Sequence, residues 1–380
     1  MVIVKKKLKR TLEWAMPIFV IIMLLPMPSL TASAAGTPDI SWYDATDNTF
    51  DISNADQLAG LAQLVNAGTD NFSGKEIKLT ADIDLSVYAG GEGWIPIGAL
   101  SWSGDLAFRG TFDGNGKVVT NLTLNPGSSS AGGNIGLFGV IWGGTVKNLG
   151  LEGVNINSRG NAVGGVVGTL NNYGVIECCY ITGSIESTGD MVGGVAGTLE
   201  YGGIIRDCWT TATVRGRNLI GGIVGAVAAI NNPIVVGCAA LSKSVAGAGA
   251  VGRIYGTGGI FLCSNNIAFD GMAGGDFGAI ANSDSDKNGL SWTAADICAD
   301  GTLGGRFVND GNPWATAIGS LPGFGAAAPM PEHLRDFGPV PPTGVPDITA
   351  YSVAMLVFFV ISGALWGYIL RRRLVAGRNG

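Results

Sequence analysis

Five segments of the chain open on one glycine frame: Gly136-Leu137-Phe138-Gly139, Gly165-Val166-Val167-Gly168, Gly194-Val195-Ala196-Gly197, Gly222-Ile223-Val224-Gly225 and Gly249-Ala250-Val251-Gly252. Their leading glycines lie roughly 27 to 29 residues apart. A fixed period of that length is the mark of a stacked-coil architecture, in which each repeat is one supersecondary unit.

Each frame is followed by a polar or glycine turn and then a β-rich run: Val146 to Leu151, Ile176 to Ile181, Ile205 to Thr210, Val235 to Ala240, and Phe261 to Asn266. β-Branched residues dominate these runs and no apolar stripe recurs at helical spacing, so each unit reads as two or three short strands joined by tight corners. One unit cannot bury its own apolar face. Parallel stacking solves this, because equivalent side chains then sit about 4.8 Å apart and form ladders in a shared core. The 62 glycines in 380 residues take the φ > 0 corners and the places where coils approach most closely.

The frames resemble the GLUG motif of bacterial surface proteins, and Phe108-Arg109-Gly110-Thr111-Phe112-Asp113-Gly114-Asn115-Gly116 looks like the coil that precedes such repeats. The resemblance covers roughly residues 42 to 320. It implies an all-β fold, a right-handed parallel β-helix of the kind found in adhesin-like proteins and as an accessory region of some bacterial immunoglobulin proteases. It supplies no active site.

Both ends of the chain point outside the cell. Lys5, Lys6, Lys7, Lys9 and Arg10 precede an apolar run from about Met16 to Leu25, and Ala32-Ser33-Ala34 offers the small-residue pattern read by signal peptidase, with cleavage between Ala34 and Ala35. An uncleaved N-terminal anchor is the alternative, opposed by the helix-breaking Pro26 and Pro28. At the other end Val340-Pro341-Pro342-Thr343-Gly344 is followed by Asp347, an apolar run over 348–370 and Arg371-Arg372-Arg373. The run is long enough to span a bilayer, and the arginines hold its end in the cytoplasm. This order resembles the cell-wall sorting signal of Gram-positive bacteria, with VPPTG in place of LPXTG. The resemblance implies that a sortase cysteine attacks the Thr343 carbonyl, releases Gly344 onward and passes Thr343 to a peptidoglycan amine. The first-position Val and the tail from Leu374 to Gly380 depart from the pattern. A retained single-span membrane anchor and an exosortase-type signal are the other readings.

The resulting organisation is a signal peptide (1–34), an N-terminal cap with a helix (35–72), a β-solenoid (73–269) with GLUG-like repeats from 134, a C-terminal cap (270–325), a Pro/Ala/Gly linker (326–339) and a sorting signal with a single transmembrane helix (340–380). Ser53 or Asn54 is placed to cap a helix running to about Asn66, ended by Gly68. A solenoid needs such a lid over its first unpaired edge.

The whole chain carries net charge −6. Many of its basic residues lie in the two terminal segments, which leaves about −13 for the stretch between them. Such a surface disfavours nucleic acid, whose binding needs clustered Lys and Arg.

Leu149, Cys179, Cys208, Cys238 and Cys263 fall at matching places in successive units and read as an inward ladder of small apolar side chains. Leu at one rung argues against a metal or redox site. Buried free thiols are the first reading; disulfides between stacked neighbours are the second, although in-register parallel geometry aims the side chains alongside one another.

His333 is the only histidine, which removes a HExxH zinc site and a Ser/His/Asp triad from the solenoid. Carboxylate chemistry needs only paired acids, but Glu177, Asp190, Glu200 and Asp207 read as turn or surface residues. Two binding constellations remain. Tyr180 and Trp209 follow ladder cysteines and point outward on adjacent coils, as a stacking platform for a sugar or as the cover of a corner. Asp284, Asp286 and Asn288 match the first half of a calcium loop, but its twelfth position is Ala295 and the bidentate acid is missing, so a solvated turn competes with calcium binding. The expected protein is a secreted, wall-anchored, non-enzymatic adhesin-like solenoid with sortase and peptidoglycan as processing partners and an extracellular glycan or protein as ligand. A structural wall protein without a specific ligand and a polysaccharide hydrolase or lyase are the alternatives.

Overall fold

The β-rich runs pair with their successors rather than with their neighbours in a hairpin, so every long sheet is parallel. In the computed structural model, which describes residues 36–101, 106–126, 133–259, 261–275, 277 and 283–335, the chain winds into a parallel β-solenoid of about seven coils. The largest sheet runs from Thr49–Ile52 through Glu76–Leu79, Thr111–Thr120, Thr145–Ser158, Val175–Ser187, Trp209–Thr210, Ala239–Ala240 and Ile267–Phe269 to Leu290–Trp292. A second face stacks Phe138–Trp142, Val167–Asn171, Ala196–Leu199, Val224–Val227 and Tyr255–Gly258, and a short third face stacks Val192–Gly193, Ile220–Gly221 and Val251–Gly252. Apolar rungs such as Val146, Ile176, Ile205 and Val235 are fully buried between these faces.

The frame glycines are required by the approach of the next coil. A Cβ on Gly194 would stand 2.1 Å from the Gly222 carbonyl oxygen, and one on Gly222 would stand 2.1 Å from that of Arg253. Neither lies at positive φ, contrary to half of the expectation for them. The left-handed corner before the cysteine row is instead held by Asn148, Cys178, Asp207, Gly237 and Asn265, at φ of 54, 50, 52, 67 and 55°.

Hydrogen-bond register corrects the fifth frame. Val251 and Gly252 pair with Ile220 and Gly221, Gly222 N donates to Arg253 O at 3.0 Å, and Tyr255 pairs with Val224. The frame is therefore Arg253-Ile254-Tyr255-Gly256, and Gly249–Gly252 precedes it. Arginine stands in place of the leading glycine where the following segment meets it with the Asn288 side chain (Arg253 N to Oδ1, 3.3 Å) rather than with a frame carbonyl. The Arg253 side chain is fully buried, and the guanidinium donates from Nε to Asn288 O (2.9 Å) and from Nη2 to Gly289 O (3.1 Å) and Ser291 Oγ (2.8 Å), with a longer contact from Nη1 to Phe269 O (3.3 Å).

The cysteine ladder also needs one correction. Leu149 faces Cys179, and the pairing of Tyr180, Trp209 and Ala239 puts Cys208 and Cys238 in the same row. Ile267 then faces Ala239, so the row ends on Asn266. Cys263 faces Val235 in the neighbouring row. Asn266 is fully buried and replaces the thiol with two amide bonds, accepting from Cys238 N and donating to Val235 O, both at 2.9 Å. All six cysteines are free of disulfides. The thiols of Cys179 and Cys208 each donate to the carbonyl two residues earlier, at 3.2 Å.

A charge row runs along the outside of the same sheet. Asp51, Lys78, Asp113, Lys147, Glu177 and Arg206 are register partners in consecutive coils, alternating in sign at every step. Lys147 Nζ reaches Asp113 at 3.4 Å, and Arg206 Nε donates to Glu177 at 2.6 Å.

The helix Ala55–Asn66 forms where the sequence placed it. The Asn54 side chain accepts from Gln57 N, and Leu58, Leu61, Leu64 and Val65 are buried in the shared core. The C-terminal part differs from expectation. The parallel sheet extends beyond residue 269, to Leu290–Trp292. After the helix Ala294–Cys298 the chain turns back along the side of the coils as a strap. Trp314–Ala315 and Gly323–Phe324 form an antiparallel pair, Pro313 packs beside Gly116, and His333 Nε2 lies 2.8 Å from Leu241 O. Residues 326–335, expected as linker, are part of this strap. Ala328 and Leu321 exchange two backbone hydrogen bonds at 2.8 and 2.9 Å, and burial of Met330 and Leu334 offsets the ordering of a Pro- and Ala-rich segment.

Among the described residues no helix is long and apolar enough to cross a membrane. The signal-peptide site Ala34/Ala35, the pentapeptide 340–344 and the apolar run 348–370 lie outside the described residues.

Candidate functional site

At the ends of three neighbouring strands of the second face the chain turns through left-handed residues: Gly143 (φ 71°), Asn172 and Tyr173 (51° and 62°), and Tyr201 and Gly202 (44° and 75°). Such tight corners throw the adjoining side chains outward, and because the coils are in register the side chains gather. Trp142 faces Asn171, and the pairing of Leu170 with Leu199 brings Glu200 into the same row. The result is a groove of about 640 Å³ lined by Leu100, Ser101, Trp142, Asn171, Asn172 and Tyr201.

Its walls combine aromatic faces with neutral amides and a hydroxyl. Tyr201 is 44% exposed. Tyr173, also exposed, lies across Gly202, where a Cβ would stand 2.5 Å from the ring. Arg109 places its guanidinium 5.9 Å from the Trp142 ring centre. Asn171 is buried, and its Nδ2 donates to Glu200 Oε2 at 3.0 Å. Its Oδ1 has no hydrogen-bond partner, a deficit that costs about 1–3 kcal/mol in a buried site. Burial pushes the Glu200 carboxyl above its ordinary value, against a smaller lowering by its hydrogen bond with Thr198.

The aromatic pair expected to form a platform is not available to a ligand. Tyr180 and Trp209 do stack, with ring centres 4.7 Å apart and planes 7° from parallel, but both are almost fully buried. The strap lies over them, with Phe324 and Trp314 5.3 and 6.3 Å from Tyr180. Tyr180 Oη donates to Glu152 at 2.6 Å. An outward direction in the coil does not make a residue exposed once a distant segment covers that face.

The calcium pattern resolves into a turn. Asp286 Oδ1 accepts from the backbone N–H of Asn288 (2.6 Å) and Gly289 (3.0 Å), and Asp284 Oδ2 accepts from Asn265 N (3.0 Å). Asn288 is buried against Arg253, a cation where a calcium ion would need an anion. Among the described residues no cluster of three His, Cys, Asp or Glu side chains is placed to hold a metal.

The other acids are dispersed. Asp190 takes a two-point bond from Arg217 of the next coil (2.7 and 2.8 Å), which holds its carboxyl below the usual range. Glu177 is paired with Arg206, and burial raises Asp207 at its left-handed corner. Glu200 alone borders the groove, and none of the residues lining it is acidic. Burial pushes the Cys178 thiol up to about 12 and those of Cys208 and Cys238 well above the ordinary value. These thiols are therefore protonated and inert at neutral pH.

The groove escaped the sequence reading because its members come from three coils and a preceding loop. The available signal was the recurrence of an aromatic residue at the corner after each of the first three frames: Trp142, Tyr173 and Tyr201.

Comparison with known proteins agrees with the fold. A Bacteroides ovatus protein, named in its crystal structure as an immunoglobulin A1 protease, superposes with a TM-score of 0.50 over 73% of this chain and 92% of its own, at 20% identity. The likeness is one of fold. Two sequence relatives are similar over shorter stretches: a protein of Evansella cellulosilytica described as a Gly-rich membrane protein, 42% identical over 109 residues, and the halomucin of Haloquadratum walsbyi, 34% identical over 125 residues. They match 27% and 31% of this chain, and the matches span only 12% and 1% of those proteins. No family model matches.

Proposed function

We propose that this protein is a secreted, surface-anchored β-solenoid of the GLUG-repeat, adhesin-like kind that presents a non-catalytic binding surface. The observation that carries this reading is the corner groove, where aromatic faces, amides and a hydroxyl gather without an acid pair, a nucleophile with a base, or a metal cluster among the described residues. The names of the relatives, a Gly-rich membrane protein and a halomucin, support a place at the cell surface. The VPPTG sequence followed by an apolar run and arginines supports attachment by a sortase through Thr343. In this reading the helix Ala55–Asn66 closes the N-terminal edge of the stack, and Arg253 ties the last segment, 288–291, to the coil before it.

The fold is shared with a protein named as a protease, but a scaffold does not carry an activity with it. His333 sits in the strap with its ring nitrogen at the Leu241 carbonyl and its ring 5.7 Å from Phe269, away from the groove residues. A glycosidase would need a second carboxylate across the groove from Glu200.

Incubating the purified full chain in detergent with bacterial wall polysaccharides, host matrix proteins and immunoglobulin A1 tests the reading. Retention of a ligand without product is the expected result. Release of product by the wild type, lost in Glu200→Gln or Asp207→Asn, would establish an enzyme instead.

A further inference from the structure

We infer that the corner groove is the binding site for a neutral oligosaccharide lying parallel to the solenoid axis, a proposal that rests on the binding reading above and names its ligand class. The groove places Trp142 on one coil, Asn171 and Asn172 on the next and Tyr201 on the one after. Rungs about 4.8 Å apart advance at nearly the rate at which pyranose rings advance along a 1,4-linked chain. Two sugar rings separated by one residue would therefore meet an aromatic face each, with the intervening ring opposite the amides.

Each wall component has a counterpart in a sugar. The axial C–H faces of a pyranose are apolar and weakly positive, and they stack on the electron-rich faces of Trp and Tyr. The hydroxyls both donate and accept, as do the Asn172 amide and the Ser101 hydroxyl. Asn171 supplies the sharper indication. Its Nδ2 is committed to Glu200, which leaves Oδ1 as an acceptor without a partner in a side chain that is only 5% exposed. A ligand hydroxyl that reached this enclosed oxygen would satisfy it, and the bond to Glu200 fixes the orientation of the amide.

The charge distribution selects neutral over anionic glycans. The lining side chains are all uncharged. Glu200 borders the groove through its bond to Asn171, and a carboxylate there disfavours a second anion. Arg109 lies over the Trp142 ring, 5.9 Å from its centre.

The test is titration of the full chain, in detergent, with cellotriose, chitotriose and maltotriose against trigalacturonate, followed by tryptophan fluorescence and calorimetry. At least one neutral trisaccharide should bind with a millimolar or tighter Kd, and trigalacturonate should not. Tyr201→Ala, an exposed change, should weaken binding by about tenfold or more with no change in Tm. Asn171→Asp should abolish binding, while Tyr180→Phe, under the strap, should leave it intact. No binding by any of the three neutral trisaccharides, equal binding of trigalacturonate, or undiminished affinity in Tyr201→Ala and Asn171→Asp would overturn the assignment. Loss of the glycan result alongside retention of a protein or wall ligand would remove this ligand class and leave the surface-binding reading standing.

Discussion

Arg253→Ala should detach the end of the solenoid while sparing its middle. The guanidinium makes three short hydrogen bonds, to Asn288 O, Gly289 O and Ser291 Oγ, and a longer one to Phe269 O. Hydrogen bonds from a charged donor contribute about 1.5–3 kcal/mol each, so the three short ones amount to roughly 5–9 kcal/mol. Against this stands the cost of desolvating a guanidinium without a carboxylate partner, an effective several kcal/mol, and burial indeed lowers the Arg253 pKa from its ordinary value. The net loss is then about 3–4 kcal/mol, with the cavity left by the side chain adding to it. Coils contact only their neighbours, so the damage should stay local. Hydrogen exchange read by mass spectrometry should show protection of the amides of Ile254, Tyr255 and Leu290 falling by about 10²–10³, at 1.4 kcal/mol per decade. The amides of Val195 and Val166, two and three coils away, should be unchanged. Arg253→Lys should recover little, because an ammonium cannot span acceptors arranged for a planar fork. Uniform loss of protection along the stack, or none anywhere, would refute the assignment of Arg253 as the tie on the last segment.

Three further outcomes follow from the fold. Cys208→Asp should unfold the central coils by placing an unpaired charge in a fully buried rung, whereas Cys208→Val should be tolerated, as urea unfolding would show; thiol reagents should label Cys179, Cys208 and Cys238 only on unfolding. Lys147→Glu breaks the alternating charge row between Asp113 and Glu177 and should cost about 1 kcal/mol at low salt, shrinking in 1 M NaCl; an unchanged midpoint at low salt would count against a role in register. Glu200 is an acid whose folded pKa is raised, so its ionisation opposes folding, and stability is lost as pH rises through the folded value. Glu200→Gln should accordingly be more stable than wild type at pH 7 and equal to it well below pH 4, and a constant difference across that range would contradict the cause given.

The stacking was legible because it is written in local repetition. Lys147, Glu177 and Arg206 each stand two residues before the ladder position of their repeat and are register partners, and the same periodicity aligned Leu149 with Cys179, Cys208 and Cys238. It failed where a local match competed with the true register. Gly249–Gly252 fits the glycine frame better than Arg253–Gly256, and only the hydrogen-bond register, such as the pairing of Tyr255 with Val224, reveals the latter. Cys263 was drawn into the cysteine row by residue type, although Asn266 holds that rung. The fate of Tyr180 and Trp209 depends on Trp314 and Phe324, more than a hundred residues later, and no periodicity within the repeats carries that information. The groove is likewise a product of stacking, since Trp142, Asn171 and Tyr201 meet only because three coils are in register.

Attachment to the cell wall through Thr343 is the claim on which the surface role most depends. The full chain and its Thr343→Ala variant, produced in a sortase-positive Gram-positive host, can be compared after muramidase digestion, with the C-terminal peptide read by mass spectrometry. Wild-type protein should be released by muramidase, end at Thr343 joined to a peptidoglycan fragment, and lack Arg371-Arg372-Arg373, while the variant stays with the membrane. Wild-type protein recovered intact by detergent alone, with its arginine tail in place and none released by muramidase, would contradict wall anchoring.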